Sequence, residues 1–443
     1  MKKILGFLCV LGLTGAAWAA PVQPLSLAAC EEAALAFSPA VKAAQAQAQA
    51  ARASYESVRG NLYPALYLDA AGSWTSEVPQ MQVGPQTFEF GSEWGYSAGP
   101  TLEYVLFDKG ARSAASRRAL SLYESKLMEY ALARKQALLQ VRQAYFAVQR
   151  DLENIYLLSE QLKVSRKQRA DVHAAYKAGA KSRRDELLAE KQALRTALDA
   201  STARTELARD LRDLFKLTGT DFGINPQYPL DWRVREKMEG ETSAVIRADA
   251  PAQTAKQFAP FQTLTFDAAT PRLAAYDGVI QSYEYAARGY AAAVWPRLSL
   301  SAGAYAQYPN GPIQEDVFLG KAGLSLRLPL FEGGKNKQQA QAQRLAAQAT
   351  SVQKEETAQA LEALFASAQD SLGALDIEMR LAAQLADKAA QAASLTYQAY
   401  QAGAVTFLEV DDANLSALQS RLMVSELLIR RLNGLAVLDS LGK

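Results

Sequence analysis

Residues 94–110 read Trp-Gly-Tyr-Ser-Ala-Gly-Pro-Thr-Leu-Glu-Tyr-Val-Leu-Phe-Asp-Lys-Gly. Trp94, Tyr96, Ala98, Pro100, Leu102, Tyr104 and Leu106 fall on even positions; Gly95, Ser97, Gly99, Thr101 and Glu103 fall on odd ones. Alternation with period two puts one set on each face of a strand. Residues 318–330 repeat the pattern, with Phe318, Gly320, Ala322, Leu324, Leu326, Leu328 and Leu330 against Lys321, Gly323, Ser325 and Arg327. Two weaker runs agree: Leu66, Leu68, Ala70 and Trp74 oppose Tyr67, Asp69 and Ser73, and Leu298 to Ala306 oppose Arg297, Ser299, Ser301 and Gln307. Such strands approach the roughly 9–11 residues that cross a bilayer at a tilt. An apolar face against a polar one suits a transmembrane barrel. Two hairpins of a soluble antiparallel sheet are the plainer alternative, and strands of this length are unusual there.

Working outward from these strands, the chain is written twice. Leu106-Phe107-Asp108-Lys109-Gly110 matches Leu330-Phe331-Glu332-Gly333-Gly334 at an offset of 224 residues, 330 − 106. Ala175-Tyr176-Lys177-Ala178-Gly179-Ala180 and Ala399-Tyr400-Gln401-Ala402-Gly403-Ala404 share that offset, and Tyr63-Pro64-Ala65-Leu66 and Trp295-Pro296-Arg297-Leu298 sit 232 apart. Two copies of one unit predict two structurally equivalent elements per chain.

The first copy spans 20–219: a helix over 25–59, strands at 64–76 and 93–106, a long helix at 108–175, a turn at 176–181 and a helix at 182–218. The second spans 271–443: a helix over 272–293, strands at 296–308 and 317–330, a long helix at 332–399, a turn at 400–404 and a helix at 405–440. Each long helix lacks proline and would extend on the order of 100 Å at 1.5 Å per residue, too long for a globular core. Leu361, Phe365, Ala368, Leu372, Leu375, Met379 and Ala382 step 4-3-4-3-4-3, the spacing of a coiled coil. Residues 220–270, with Pro226, Pro229, Pro251 and Pro260, read as an irregular connector.

Residues 1–19 read as a secretory signal peptide: Lys2 and Lys3, an apolar run from Ile4 to Leu13, and Ala17-Trp18-Ala19 before the cut. Cys30 is then the one mature cysteine, so an internal disulfide is excluded. With 48 Lys and Arg against 46 Asp and Glu, the formal charge of +2 argues against nucleic acid as a partner. Lys181-Ser182-Arg183-Arg184 is too short for a nucleic-acid patch. His173, the one histidine, reads as a surface residue. No nucleophile elbow, phosphate loop or metal-ligand spacing occurs, so neither an enzyme, a cofactor nor a bound metal is expected. Four strands cannot close a barrel, and an open edge in lipid leaves backbone groups unpaired. Chains must therefore share one barrel, eight-stranded from two chains or twelve-stranded from three. The competing reading is a soluble periplasmic coiled-coil scaffold or adaptor.

These strand starts, strand-to-helix turns and helix turns, in this order and duplicated, resemble the TolC-family outer-membrane efflux proteins (outer membrane factors). The resemblance covers the whole mature chain. It implies a mainly α fold with a β membrane portion: a homotrimer whose twelve-stranded barrel in the outer membrane continues into a periplasmic α-helical coiled-coil tunnel. It implies a passive export duct of a tripartite efflux or secretion system, with a periplasmic membrane-fusion adaptor, an inner-membrane pump and outer-membrane lipid as partners. It places the two Tyr-x-Ala-Gly turns at the periplasmic tip, with Tyr176, Gly179, Gly403, Arg183 and Arg184 facing the adaptor. The entrance falls to Asp185, Tyr400, Glu409, Asp411 and Asp412: Glu409 and Asp412, with Asp411 beside them, would form acidic rings by threefold symmetry, and Asp185 can bond Tyr400. Val405 stands where the family has a locking arginine; Arg183 or Arg184 would pair with Glu409 or Asp412 instead.

Overall fold

The computed structural model describes residues 25–89, 91–220 and 248–442. The signal peptide expected at 1–19 and most of the connector lie outside them. In chain order the elements are α1 (Leu27–Phe37), α2 (Pro39–Gly60), β1 (Ala65–Trp74), β2 (Gln80–Val83), β3 (Gln86–Glu89), β4 (Trp94–Phe107), α3 (Ala111–Lys177) and α4 (Arg183–Thr218). After the undescribed stretch come α5 (Pro251–Phe258), a 3-10 turn (Ala259–Thr263), α6 (Pro271–Ala292), β5 (Arg297–Tyr308), β6 (Val317–Arg327), α7 (Lys335–Gln401) and α8 (Phe407–Leu441).

The duplication is visible element by element. The helices α2 and α6 are both 22 residues, and α3 and α7 both 67. Each 22-residue helix opens on a hydroxyl N-cap followed by proline: Ser38 Oγ accepts from Val41 N at 3.4 Å, and Thr270 Oγ1 from Leu273 N at 3.5 Å. Proline at the first helical position lacks only an N–H that would be orphaned anyway, and it disfavours helix in the residue before it. The single helix expected over 25–59 is therefore two, broken at Ser38-Pro39. A second correction concerns the stretch between the strands expected at 64–76 and 93–106, for which no further element is expected. It carries a small hairpin, Gln80–Val83 paired with Gln86–Glu89. The second copy has no counterpart between β5 and β6, which accounts for the change of offset from 232 to 224.

The chain divides into two compact units. One comprises 37–140, 258–376 and 433–443 and holds the four-stranded antiparallel sheet β1-β4-β5-β6. Register puts like with like. Leu66, Leu102, Ala302 and Ala322 stand opposite one another along one row, and Tyr67, Thr101, Gly303 and Lys321 along the next. Directly opposed residues share a face, so the sheet has one apolar and one polar face. The apolar face is bare: Leu68 is 79 % exposed and Phe318 88 %. On the polar face the Tyr305 ring lies over Gly303, where a Cβ would come within 2.6 Å of it, and its hydroxyl meets Thr101 Oγ1 at 2.6 Å. Strands β1 and β6 are the free edges.

Helices in this unit meet through small residues. A Cβ on Gly278 of α6 would lie 2.6 Å from Ser121 O and 2.8 Å from Ser125 N of α3, and Ser125 Oγ donates to Ala275 O at 2.8 Å. Along α7, Leu361, Phe365 and Leu372 are buried, and Phe365 packs on Phe266 with ring centroids 5.9 Å apart.

The other unit comprises, of the described residues, 25–36, 141–220, 248–257 and 377–432. Tyr145 of α3 organises one part of it. Its hydroxyl donates to Leu25 O at 2.8 Å and accepts from Asp249 N at 3.0 Å. Beside it Cys30 is wholly buried, and burial pushes its thiol up to about 12. Further along, Arg150 Nη2 bridges Asp151 Oδ1 at 2.8 Å and Asp210 Oδ2 at 3.1 Å, and Arg209 Nε meets Asp210 Oδ1 at 3.0 Å. Burial pushes the Asp151 carboxyl up to about 6 against the pull of Arg150. Among the described residues no helix is long and apolar enough to cross a membrane.

Candidate functional site: the two capped helix turns

The repeated hexapeptide is a helix stop. In Ala175-Tyr176-Lys177-Ala178-Gly179-Ala180 the Ala180 N–H bonds Ala175 O at 2.9 Å and the Gly179 N–H bonds Tyr176 O at 2.9 Å. In the second copy Ala404 N bonds Ala399 O at 2.9 Å and Gly403 N bonds Tyr400 O at 3.0 Å. This pair of bonds is a Schellman motif, with glycine where the backbone turns left-handed. Gly179 and Gly403 have φ of 76° and 81°. Three residues further on, each return helix begins with a side-chain cap. Ser182 Oγ accepts from Asp185 N at 3.2 Å, and Asp185 Oδ2 accepts from Ser182 Oγ at 2.9 Å. Glu409 Oε1 accepts from Thr406 N at 3.2 Å and from Thr406 Oγ1 at 3.0 Å.

The two turns pack on each other asymmetrically. Tyr400 is 4 % exposed and packs with Phe407, Val172, Ala189 and Val410, with Val405 at the margin. Its ring lies 5.3 Å from Phe407 and 6.4 Å from Tyr397. Among the described residues its hydroxyl has no hydrogen-bond partner, and burial, with the Asp185 charge, pushes it up to about 12. Tyr176, the first-copy equivalent, is exposed, with the Arg183 guanidinium 5.8 Å from its ring centroid. Lys181 crosses between the turns: its Nζ donates to Tyr400 O at 2.8 Å and sits 4.0 Å from the Tyr400 ring centroid.

The charges at the tip are arranged differently from the expectation. Within the chain Asp185 caps its own helix, and the expected bond to Tyr400 is not formed. Arg183 pairs with Glu186, not with Glu409 or Asp412. His173 is exposed but engaged: its Nδ1 meets Glu186 Oε1 at 2.6 Å, and this bond, with Arg183, holds the Glu186 carboxyl below its ordinary range. Asp411 is nearly buried, with Lys191 Nζ 3.0 Å away. Asp412 and Arg184 are exposed. Tyr397 donates to Asp171 Oδ2 at 2.8 Å and Asn414 Nδ2 to Gln168 Oε1 at 2.9 Å, both across the helix pairs. Sequence reasoning missed Lys181, Lys191 and Glu186 as partners. Only for Lys181 did a signal exist: it is the repeat equivalent of Val405, 405 − 181 = 224.

Nothing in these turns assembles a nucleophile or a metal-ligand set; among the described residues no group of three or more metal-ligating side chains occurs. Two helices of 67 residues and an antiparallel sheet with a bare apolar face are elements that suit a membrane-channel protein. The chain belongs to the outer membrane efflux protein family, whose sequence profile matches residues 32–220 and 268–441. It is thus an efflux channel protein of the outer membrane, with its long helices on the periplasmic side. Its fold is similar to that of CusC (TM-score 0.74, 19 % identity, 94 % of this chain and 92 % of that one). It is similar to VceC from Vibrio cholerae (0.72, 20 %, 94 % and 96 %) and to the open state of the MtrE outer membrane channel of Neisseria gonorrhoeae (0.70, 20 %, 94 % and 88 %). No curated protein sequence matches it significantly.

Proposed function

We propose that three copies of this chain form one duct, a shared twelve-stranded barrel continuous with a helical tunnel. The duct carries cargo received from an inner-membrane pump through a periplasmic adaptor. The observation that carries this is the pair of free edges on a sheet with one bare apolar face. In the order β1-β4-β5-β6 with antiparallel neighbours, the two edge strands run in opposite directions. An edge β6 can therefore continue antiparallel into β1 of a next copy, and rotational repetition closes the ring with an even strand number. Eight strands leave an interior filled by side chains, and twelve leave room for a lumen. The helices support the same reading. Leu187, Leu194 and Leu198 on α4 are exposed at steps of seven and four, an apolar stripe suited to helices of a neighbouring copy.

In this duct the two capped turns form the periplasmic entrance. Tyr176, Gly179, Arg183, Arg184 and Gly403 present the docking surface for the adaptor. Asp412, exposed and repeated by symmetry, is the acid best disposed to form a ring that attracts cations. Glu409 contributes from its cap, whereas Asp411 is neutralised by Lys191. Reconstitution of the detergent-extracted protein in planar bilayers tests the proposal. Discrete conductance steps are expected; a purified, folded protein that conducts nothing would contradict it.

A further inference from the structure

Lys181 and Val405 hold the same place in the two copies, two residues past the left-handed glycine and one before the N-cap residue. Their environments differ. Val405 is half-buried on its own turn, beside the Tyr400 cluster. Lys181 reaches from the first turn to the second and takes hold of Tyr400 twice, by the backbone carbonyl at 2.8 Å and by the ring face at 4.0 Å. That carbonyl already accepts the Gly403 N–H of the Schellman motif, so the ammonium grips the bond that sets the second turn. The Tyr400 hydroxyl takes no part.

We propose that Lys181 is a positioning residue that latches the second turn to the first within each chain and so restricts opening of the entrance. This rests on the reading of the two turns as the entrance. The apolar contacts around Tyr400, with Phe407, Val172, Ala189 and Val410, are non-directional and can slide. A charge-assisted hydrogen bond cannot; it is lost once donor and acceptor separate beyond about 3.5 Å. Relative displacement of the hairpins must therefore break the Lys181 contact before it disturbs the apolar cluster. Cation–π attraction to a ring that is itself buried adds to the same latch. The second copy offers no equivalent: Val405 carries no donor.

Bilayer recordings on the full assembled protein test this. Lys181→Met keeps the stem and removes the charge, and it should raise mean conductance by roughly three- to tenfold. Lys181→Arg and Tyr400→Phe, which preserve the cation and the ring respectively, should stay within about twofold of the parent. Tyr400→Leu should act like Lys181→Met, and the double variant should add little to either. Equal conductance of Lys181→Met and the parent, at the same native mass, would overturn the latch. A further arm separates the latch from the entrance reading: Ala402→Cys on the second turn, treated with a bulky thiol reagent, should block current. Unblocked current would overturn entrance and latch together; blocked current with an unchanged Lys181→Met variant would overturn the latch alone.

Discussion

Asp185 and Glu409 stand at the same place in two helix caps 224 residues apart, each accepting from the hydroxyl of the residue three before it, Ser182 and Thr406. Both carboxylates therefore have a structural task before any role in a gate. A negative group in the first turn of a helix is also favoured by the helix dipole. The two roles are separable. Glu409→Gln keeps an acceptor for Thr406 and removes the charge, so it should lose only the dipole contribution, about 0.3–1 kcal/mol, and weaken any preference for cations in reversal-potential measurements. Glu409→Ala should cost about 0.5 kcal/mol of helix capping as well.

Asp411 and Asp412 are neighbours with opposite expectations. Asp412→Asn should reduce cation preference with little effect on stability, because the side chain is exposed. Asp411→Asn removes the partner of Lys191 and should lower stability while leaving ion preference alone. Reversal potential and thermal unfolding, measured on both variants, check the assignment; the reverse pattern would exchange the two roles.

Much of this fold was legible in the sequence, and the parts that were not share a cause. Period-two alternation and the long proline-free runs report local backbone geometry, which is written residue by residue; the mixed α and β class follows from them. The break at Ser38-Pro39 was legible too, because the residue before a proline avoids helix, yet the alanine-rich run on both sides masked it. The hairpin at 80–89 carries its own alternation, Met81 and Val83 against Gln80 and Gln82, around the turn at Gly84-Pro85, but the pattern is short and lies among glycines and prolines. The Thr406-x-x-Glu409 cap is likewise a local signal. Lys181 on Tyr400, Lys191 beside Asp411 and Tyr397 on Asp171 are not local. They depend on the rotation of one helix pair against the other; for Lys181 the repeat offset marks the position, opposite Val405 in the second copy, but not the partner. The Asp185–Tyr400 bond implied by the resemblance depends on the same rotation, and within one chain it is not formed.

Glycine is required at Gly403 by the backbone and at Gly278 by its neighbours. Gly403→Ala meets no atom within 4 Å, and its penalty comes from φ of 81° alone, about 1–2 kcal/mol. Gly278→Ala meets the α3 backbone at 2.6 Å and should cost about 1–3 kcal/mol through overpacking. Denaturant unfolding of both variants tests this. Replacing Ser125 by Gly as well should not remove the Gly278 effect, because Ser121 O and Ser125 N, at 2.6 and 2.8 Å from the new methyl, belong to the backbone.

Asp151 makes stability depend on pH in a stated direction. Its carboxyl is raised by burial from its ordinary value to about 6, so the folded chain holds this proton more tightly than the unfolded chain. That contribution is fully present below the unfolded pKa of about 4 and is lost as pH rises to about 6. Asp151→Asn keeps the shape without the buried charge. The melting temperature of the variant relative to the parent should be higher at pH 7 than at pH 4; no change in that difference would contradict the assignment.

The most direct test of the shared barrel is the native mass of the detergent-extracted mature protein, with bound detergent subtracted. Three chains per particle are predicted. A monomer released into water without detergent would contradict the account, since the apolar face bearing Leu68 and Phe318 would then have no lipid to meet.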